Sequence, residues 1–388
     1  MYQIKTLNKI AKCGLDNFDK NKYVCTEDCA NPDAIMVRSA SMHDMEFNSN
    51  LLAIARAGAG VNNIPCDKCA DEGIVVFNTP GANANAVKEL VIAGLFISSR
   101  RVIPAIEWAK TLKGNGSEVG KMVEKGKSAF AGPEILGKKL GVIGLGAIGA
   151  MVANSASALG MEVYGYDPYI SVNAAWKLST KIVHATEIDD IFANCDYITV
   201  HVPLLDSTKN TIRKETIDKM KDGVRILNFS RGELVNSTDI IEALQSGKVA
   251  SYVTDFPNDE LIGVDGVIAI PHLGASTPES EDNCAVMAAK ELVEFLENGN
   301  IVNSVNMPTA VMPRTTKNRI CVIHKNIPHM ISQITGAMSG KGINIEKLLN
   351  ESNKNYAYSI LDVLQVDEDA IKAIEAIDGV IKVRVICD

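Results

Sequence analysis

Short continuous apolar runs, separated by amphipathic stretches, set the rhythm of this chain. In the first part they are Ala34–Val37, Leu51–Arg56 and Ile74–Phe77. Each ends in turn chemistry: Arg38-Ser39, Gly58-Ala-Gly60 and Asn78-Thr-Pro-Gly81. Runs without polar alternation suit strands covered on both faces, and helices between them make such strands parallel. A helical pattern is predicted over 84–112, followed by a glycine- and lysine-rich exposed loop at 113–127. From Gly137 to Leu273 the rhythm sharpens. Apolar runs fall at 140–145, 163–166, 181–185, 197–202, 225–229, 251–254 and 267–270, with amphipathic segments at 187–194, 214–220 and 238–245. That alternation predicts a doubly wound α/β domain. A second long helix is predicted over 277–297, and 301–313 reads as a linker.

The last segment changes character. Its pattern predicts strand 319–324, helix 328–339, strands 343–350 and 356–363, helix 369–377 and strand 380–385. This βαββαβ order is ferredoxin-like. So short a segment buries little core alone, and pairing with a second copy is expected.

Composition narrows the class. Thirty-nine basic against 47 acidic residues give a net charge of −8, which argues against a broad basic footprint for nucleic acid. No run of about 18 apolar residues offers a membrane span, and Met1–Gly14 has no sustained apolar stretch to read as a signal peptide. The nine cysteines are scattered, as expected of reduced thiols in a cytoplasmic protein. Cys66-Asp-Lys-Cys69 and Cys25/Cys29 lack the second ligand pair of a zinc site, so no metal is expected.

The strongest local signal is Gly144-Leu-Gly146-Ala-Ile-Gly149, placed between a predicted strand and a predicted helix. Glycines there permit a tight turn, close approach of a pyrophosphate to the backbone, and helix–strand packing. The Ala147 and Ile148 amides open the helix and favour phosphate charge. Asp167, 18 residues beyond Gly149, ends the next strand where a carboxylate bonds ribose hydroxyls. It would repel a 2′-phosphate, and Pro168-Tyr-Ile170 offers no cation to receive one. NAD is expected over NADP.

Two polar clusters follow at predicted strand ends: Asn228-Phe-Ser-Arg231-Gly232-Glu233 and Pro271-His272-Leu-Gly274-Ala-Ser276. Ligands of open α/β sheets collect beyond the carboxyl ends of strands. An arginine clamps carboxylates bidentately, and a histidine exchanges protons near neutral pH.

Together these motifs resemble the NAD-dependent D-2-hydroxyacid dehydrogenases over nearly the whole chain. The resemblance implies an α/β protein in which a Rossmann-type nucleotide domain, 91–282, is inserted in a flavodoxin-like substrate domain, 1–90 with 283–310, the active site lying in the cleft. His272 would take the C2 hydroxyl proton and Arg231 would hold the substrate carboxylate. The orienting acid is Glu260 if the spacing from Asp255 is kept, or Asp259 if the spacing from Phe256-Pro257 is kept; Glu260 is preferred. NAD would touch Gly144, Gly146, Ala147, Ile148, Gly149 and Asp167. It would also touch Val202, Pro203 and Thr208 in the loop after His201, and Phe229, Ser230, Arg231, Asp255, His272, Gly274 and Ala275 at the strand ends. His201 itself reads as buried and structural. Arg38, Ser39, Gly60 and Asn83 would contact the substrate.

His324-Lys-Asn326-Ile-Pro328 and Gly342-Ile-Asn344-Ile345 resemble an ACT-type regulatory domain, 311–388. That addition implies the members of the family that oxidise D-3-phosphoglycerate on entry to serine synthesis. L-serine would then be an effector held by His324, Asn326 and Asn344 across an interface in a homodimer or homotetramer. His329 stands where serine-sensing relatives often have glycine. Two other readings are a reductase of glyoxylate, hydroxypyruvate or another 2-oxo acid, and a transcriptional co-regulator that keeps the fold.

Overall fold

The first apolar runs form the parallel strands β1 (Tyr2–Leu7), β2 (Tyr23–Thr26), β3 (Ala34–Val37), β4 (Ala53–Arg56) and β5 (Val75–Phe77), in the order β2-β1-β3-β4-β5. This is the flavodoxin-like order. The computed structural model describes residues 1–387 and divides them into two units: Met1–Asn83 with the chain from Pro278 onward, and Ala84–Thr277.

Helix Pro278–Asn298 completes the first unit's layers. Its apolar stripe, Ala285, Ala288, Ala289, Leu292, Phe295 and Leu296, is buried in one cluster with Ile4, Met36, Ala53 and Phe77. Small residues let helix and chain approach closely: a side chain on Gly14 would sit 2.7 Å from the Ala285 carbonyl.

The C-terminal segment belongs to this same unit. Its strands are β13 (Asn318–Lys325), β14 (Ile345–Ser352), β15 (Tyr356–Val363) and β16 (Val380–Cys387). They form an antiparallel sheet in the order β14-β15-β13-β16. Helices Met330–Ser339 and Glu368–Glu375 cover one face through Ile334, Met338, Ala370 and Ile374. The other face, with Cys321, Ile323, Tyr358 and Ile360, is buried in the first sheet's own apolar cluster. That face is therefore covered within the unit.

Arginines fasten the sheet to the end of helix Pro278–Asn298. Arg384 donates to the carbonyls of Phe295 and Leu296, and Arg319 donates to Asn298 O at 2.7 Å. Phe295 O also accepts from Gly299 N–H at 2.9 Å, and cations suit the negative end of the helix dipole. Arg319 is fully buried and paired with the equally buried Asp362 at 2.7 Å.

The second unit holds β6 (Lys139–Ile143), β7 (Glu162–Tyr166), β8 (Val183–His184), β9 (Tyr197–Val200), β10 (Val224–Asn228), β11 (Val249–Thr254) and β12 (Val267–Ala269). All are parallel, in the order β12-β11-β10-β9-β6-β7-β8. The order reverses between β6 and β9, the switch point where nucleotides bind doubly wound sheets.

Two expectations need correction here. The helix predicted over 84–112 is two helices, Ala84–Ser99 and Val102–Lys110, broken where Val102 N–H turns back to Arg100 O. The loop predicted at 113–127 contains a 3₁₀ turn, Gly116–Glu118, and a helix, Val119–Gly126. The lysines along it are exposed, as expected, and Lys121 pairs with Glu118 and Lys127 with Glu124. Trp108 packs on Phe130 at 5.3 Å and ties the arm together. Among the described residues, no helix is long and apolar enough to cross a membrane.

Candidate functional site

β6 ends at Ile143, and the chain turns through Gly144 at φ +92°, a conformation that disfavours any residue with a Cβ. A side chain there would also meet His201 O at 2.6 Å, and one on Gly149 would meet Gly144 O at 1.9 Å. Gly146 differs: nothing lies within 4 Å of its Cβ position. It opens helix Ala147–Ala158 without a side-chain cap. An open cradle under uncapped helical amides suits a pyrophosphate.

Asp167, at the end of β7, accepts from Leu145 N–H and Tyr169 N–H, each at 2.9 Å. Thr208 donates to Pro203 O at 2.6 Å and accepts from Leu205 N–H, pinning the loop after β9. His201 is half-buried with its Nδ1 shielded from solvent, and that desolvation pulls its pKa down to about 4, so it stays neutral. Val202, partly buried, packs against the core, and Phe229 lies buried against Gly94, leaving only its backbone for a ligand.

Beyond β10, buried Asn228 shapes the loop: its amide donates to Arg231 O and its carbonyl accepts from Ser230 N–H. The loop presents Arg231, whose guanidinium stands over the Phe256 ring at 6.0 Å. The exposed His272 ring lies 4.6 Å from the same Phe256 ring. Phe256 thus lies beside both Arg231 and His272, a role for which the sequence offered only its place after a strand-end aspartate.

Asp255 is 1% exposed. One oxygen accepts from Gly274 N–H at 3.2 Å, while Oδ1 is buried without a partner. Burial pushes its pKa up, opposed by the charges of His272 and Arg231. An orphaned acceptor here fits a carboxamide N–H, so this unit's residues suit NAD at the loop, at Asp167 and at Asp255. The following turn is held by Asn258, which accepts from Leu261 N–H and donates to Ser237. Asp259 and Glu260 are exposed on it, and among the described residues no carboxylate hydrogen-bonds to His272.

The first unit holds the predicted substrate residues. Asn8, in a left-handed conformation at φ +69°, accepts from Ser39 N–H and Ala40 N–H and so fixes the turn after β3. Arg38 pairs with Glu281 of helix Pro278–Asn298. Gly60 and Asn83 are half-buried, Asn83 in the turn before helix Ala84–Ser99. Sequence reasoning missed Asn8 and Glu281; a polar residue just past a strand was the only signal for the first.

In the C-terminal sheet, His324 is buried, its ring nitrogens within reach of Lys325 O, Asn350 Oδ1 and Ser359 Oγ. Asn326 donates to Asn353 O and Asn344 to Glu346. The register sets β13 and β14 in one direction beside β15. Asn326 follows the end of β13 and Asn344 precedes the start of β14, so they stand at opposite ends of the sheet. His329 takes φ +69°, and the helix predicted from 328 starts at Met330. Cys66 and Cys69 lie on helix Cys66–Asp71, where burial raises both thiols, Cys69 to about 12.

Residues 95–274 match the D-isomer specific 2-hydroxyacid dehydrogenase, NAD binding domain family. The chain is 32% identical over 351 residues to the D-3-phosphoglycerate dehydrogenase of Escherichia coli K12, covering 87% of this chain and 82% of that one. It is 39% identical over 275 residues to the hydroxypyruvate reductase of Thermotoga maritima, covering 68% and 83%. An NAD+-bound 3-phosphoglycerate dehydrogenase structure from Entamoeba histolytica aligns at TM-score 0.60 and 25% identity, covering 79% and 98%. The chain spans about half the length, 52%, of the D-3-phosphoglycerate dehydrogenases of Archaeoglobus fulgidus and Bacillus subtilis.

Proposed function

Because this chain belongs to the D-isomer specific 2-hydroxyacid dehydrogenase family, we propose that it oxidises D-3-phosphoglycerate to 3-phosphohydroxypyruvate, the entry step of serine synthesis. NAD, when bound, supplies the hydride acceptor. Gly144, Gly146 and Gly149 with the Ala147 and Ile148 amides hold its pyrophosphate, Asp167 its ribose, and Asp255 its carboxamide. His272 takes the C2 hydroxyl proton as general base. Arg231 forks the substrate carboxylate and draws charge from the developing carbonyl oxygen. Arg38, with Ser39, Gly60 and Asn83, takes the substrate's anionic tail. Glu260, or Asp259 in its stead, orients His272 once the 258–260 turn brings it in.

The observation that carries the reading is that Arg231 and His272 both lie against Phe256, just beyond the sheet that bears the glycine loop. NADH formation from D-3-phosphoglycerate, with product removed by coupling, tests it. The reductase reading has its own support in the match to a hydroxypyruvate reductase over most of that enzyme. A kcat/KM for hydroxypyruvate exceeding that for phosphohydroxypyruvate would select it.

We also assign the C-terminal sheet as an ACT-type regulatory domain sensing L-serine. Since Asn326 and Asn344 stand at opposite ends of one sheet, a site using both takes two copies side by side, in a homodimer or homotetramer. Inhibition by L-serine, with binding measured by calorimetry, tests the assignment. Nine free cysteines support a cytoplasmic setting.

A further inference from the structure

Arg38 stands at the turn after β3 with its guanidinium already engaged. Its Nη2 donates to Glu281 Oε1 at 2.5 Å, and the two side chains are 44% and 43% exposed. We propose that Glu281 is an affinity-setting residue: it holds Arg38 in the absence of substrate and must be displaced by the substrate's anionic group. This rests on the assignment of Arg38 to that group.

Three features support an exchange over a fixed structural bridge. The backbone of Arg38 is held independently of the ion pair. Arg56 Nε donates to Arg38 O at 3.1 Å, and Asn8 accepts from the next two amides at 3.0 and 2.7 Å. Only the guanidinium has to swing. Glu281 lies in the first turn of helix Pro278–Asn298, where the positive end of the dipole stabilises a carboxylate after Arg38 leaves it. The pair is open to solvent, and such pairs are worth little, so an incoming phosphate with more charge and three acceptor oxygens competes successfully.

Glu281 therefore raises the substrate concentration needed for half-saturation and leaves the chemistry at His272 alone. Exposed pairs contribute about 0.2–1 kcal/mol, which corresponds to a change of about 1.4- to 5-fold in affinity.

The test is steady-state kinetics with D-3-phosphoglycerate on four full-length proteins: wild type, Glu281→Gln, Arg38→Ala and the double variant. The expected result for Glu281→Gln is a KM lowered about two- to fivefold with kcat kept, and the gain disappears when Arg38 is alanine. A purely structural pair would give a lower melting temperature with no fall in KM, so melting curves accompany the kinetics. If Arg38→Ala raises KM but Glu281→Gln does not lower it, the displacement idea is wrong and the Arg38 assignment survives. If Arg38→Ala leaves KM unchanged, the assignment itself is wrong.

Discussion

The Asp167 carboxylate reaches back to Leu145, accepting its backbone N–H at 2.9 Å while its other oxygen accepts from Tyr169. The acid that would select the ribose also braces the glycine loop. Asp167→Ala should raise KM for NAD about tenfold or more, the scale of losing a charged hydrogen bond. It should also narrow the preference for NAD over NADP. Wild-type protein that uses NADP as readily as NAD would refute the role.

His272→Ala should lower kcat by about 10²–10⁴, the usual worth of a positioned acid/base. Arg231→Lys should raise KM and lower kcat, because lysine lacks the planar fork. Glu260→Gln and Asp259→Asn, measured separately, decide the orienting acid. The one that matters should alter the pH profile of kcat/KM, and no change in either would remove the carboxylate from the mechanism.

What the sequence revealed depended on how local each cause was. Gly144 and Gly149 were legible because their demand is local: a positive φ and a carbonyl within 2 Å of a would-be Cβ. β6–β12 were legible because parallel strands need unbroken apolar runs. Glu281 was not legible, since its partner Arg38 lies 243 positions away. Helix Val119–Gly126 hid because the glycines and lysines around it read as solvent chemistry, while Trp108 and Phe130, which pack together, flank the stretch. The covered face of the C-terminal sheet hid for the same reason as Glu281: Cys321 and Tyr358 meet residues from the start of the chain.

Glu291 supplies a pH signature. It is 6% exposed on helix Pro278–Asn298, with Oε1 accepting from Asn303 and Oε2 buried without a partner; burial raises its pKa to about 8. The unfolded chain releases that proton near pH 4.5, so between about pH 4.5 and 8 the native state binds more protons and stability falls as pH rises. Glu291→Gln should flatten this slope. It should raise the melting temperature at pH 8, by a stability on the order of a few kcal/mol, with little change at pH 4.5. Equal shifts at both pH values would refute a protonated native Glu291.

Arg319 and Asp362 test how the C-terminal sheet is fastened. Arg319→Met leaves a buried carboxylate unpaired and the Asn298 and Met312 carbonyls without their donor, and should cost about 3–5 kcal/mol in denaturant unfolding. Arg319→Met with Asp362→Leu should recover part of this. A double variant no better than the single would show that the carbonyl contacts dominate.

The first unit draws its strands from both ends of the sequence, and its core joins Ile4 to Ile386. During synthesis, β1 to β5 therefore wait for roughly 200 further residues before helix Pro278–Asn298 begins and roughly 300 before β16 completes their cover. At about 5–20 residues per second the full wait is roughly 15–60 s. The inserted unit, Ala84–Thr277, is complete well before the wait ends. For that interval the apolar faces of β1, β3 and β4 stand bare on the ribosome, a target for chaperones that the finished protein never shows.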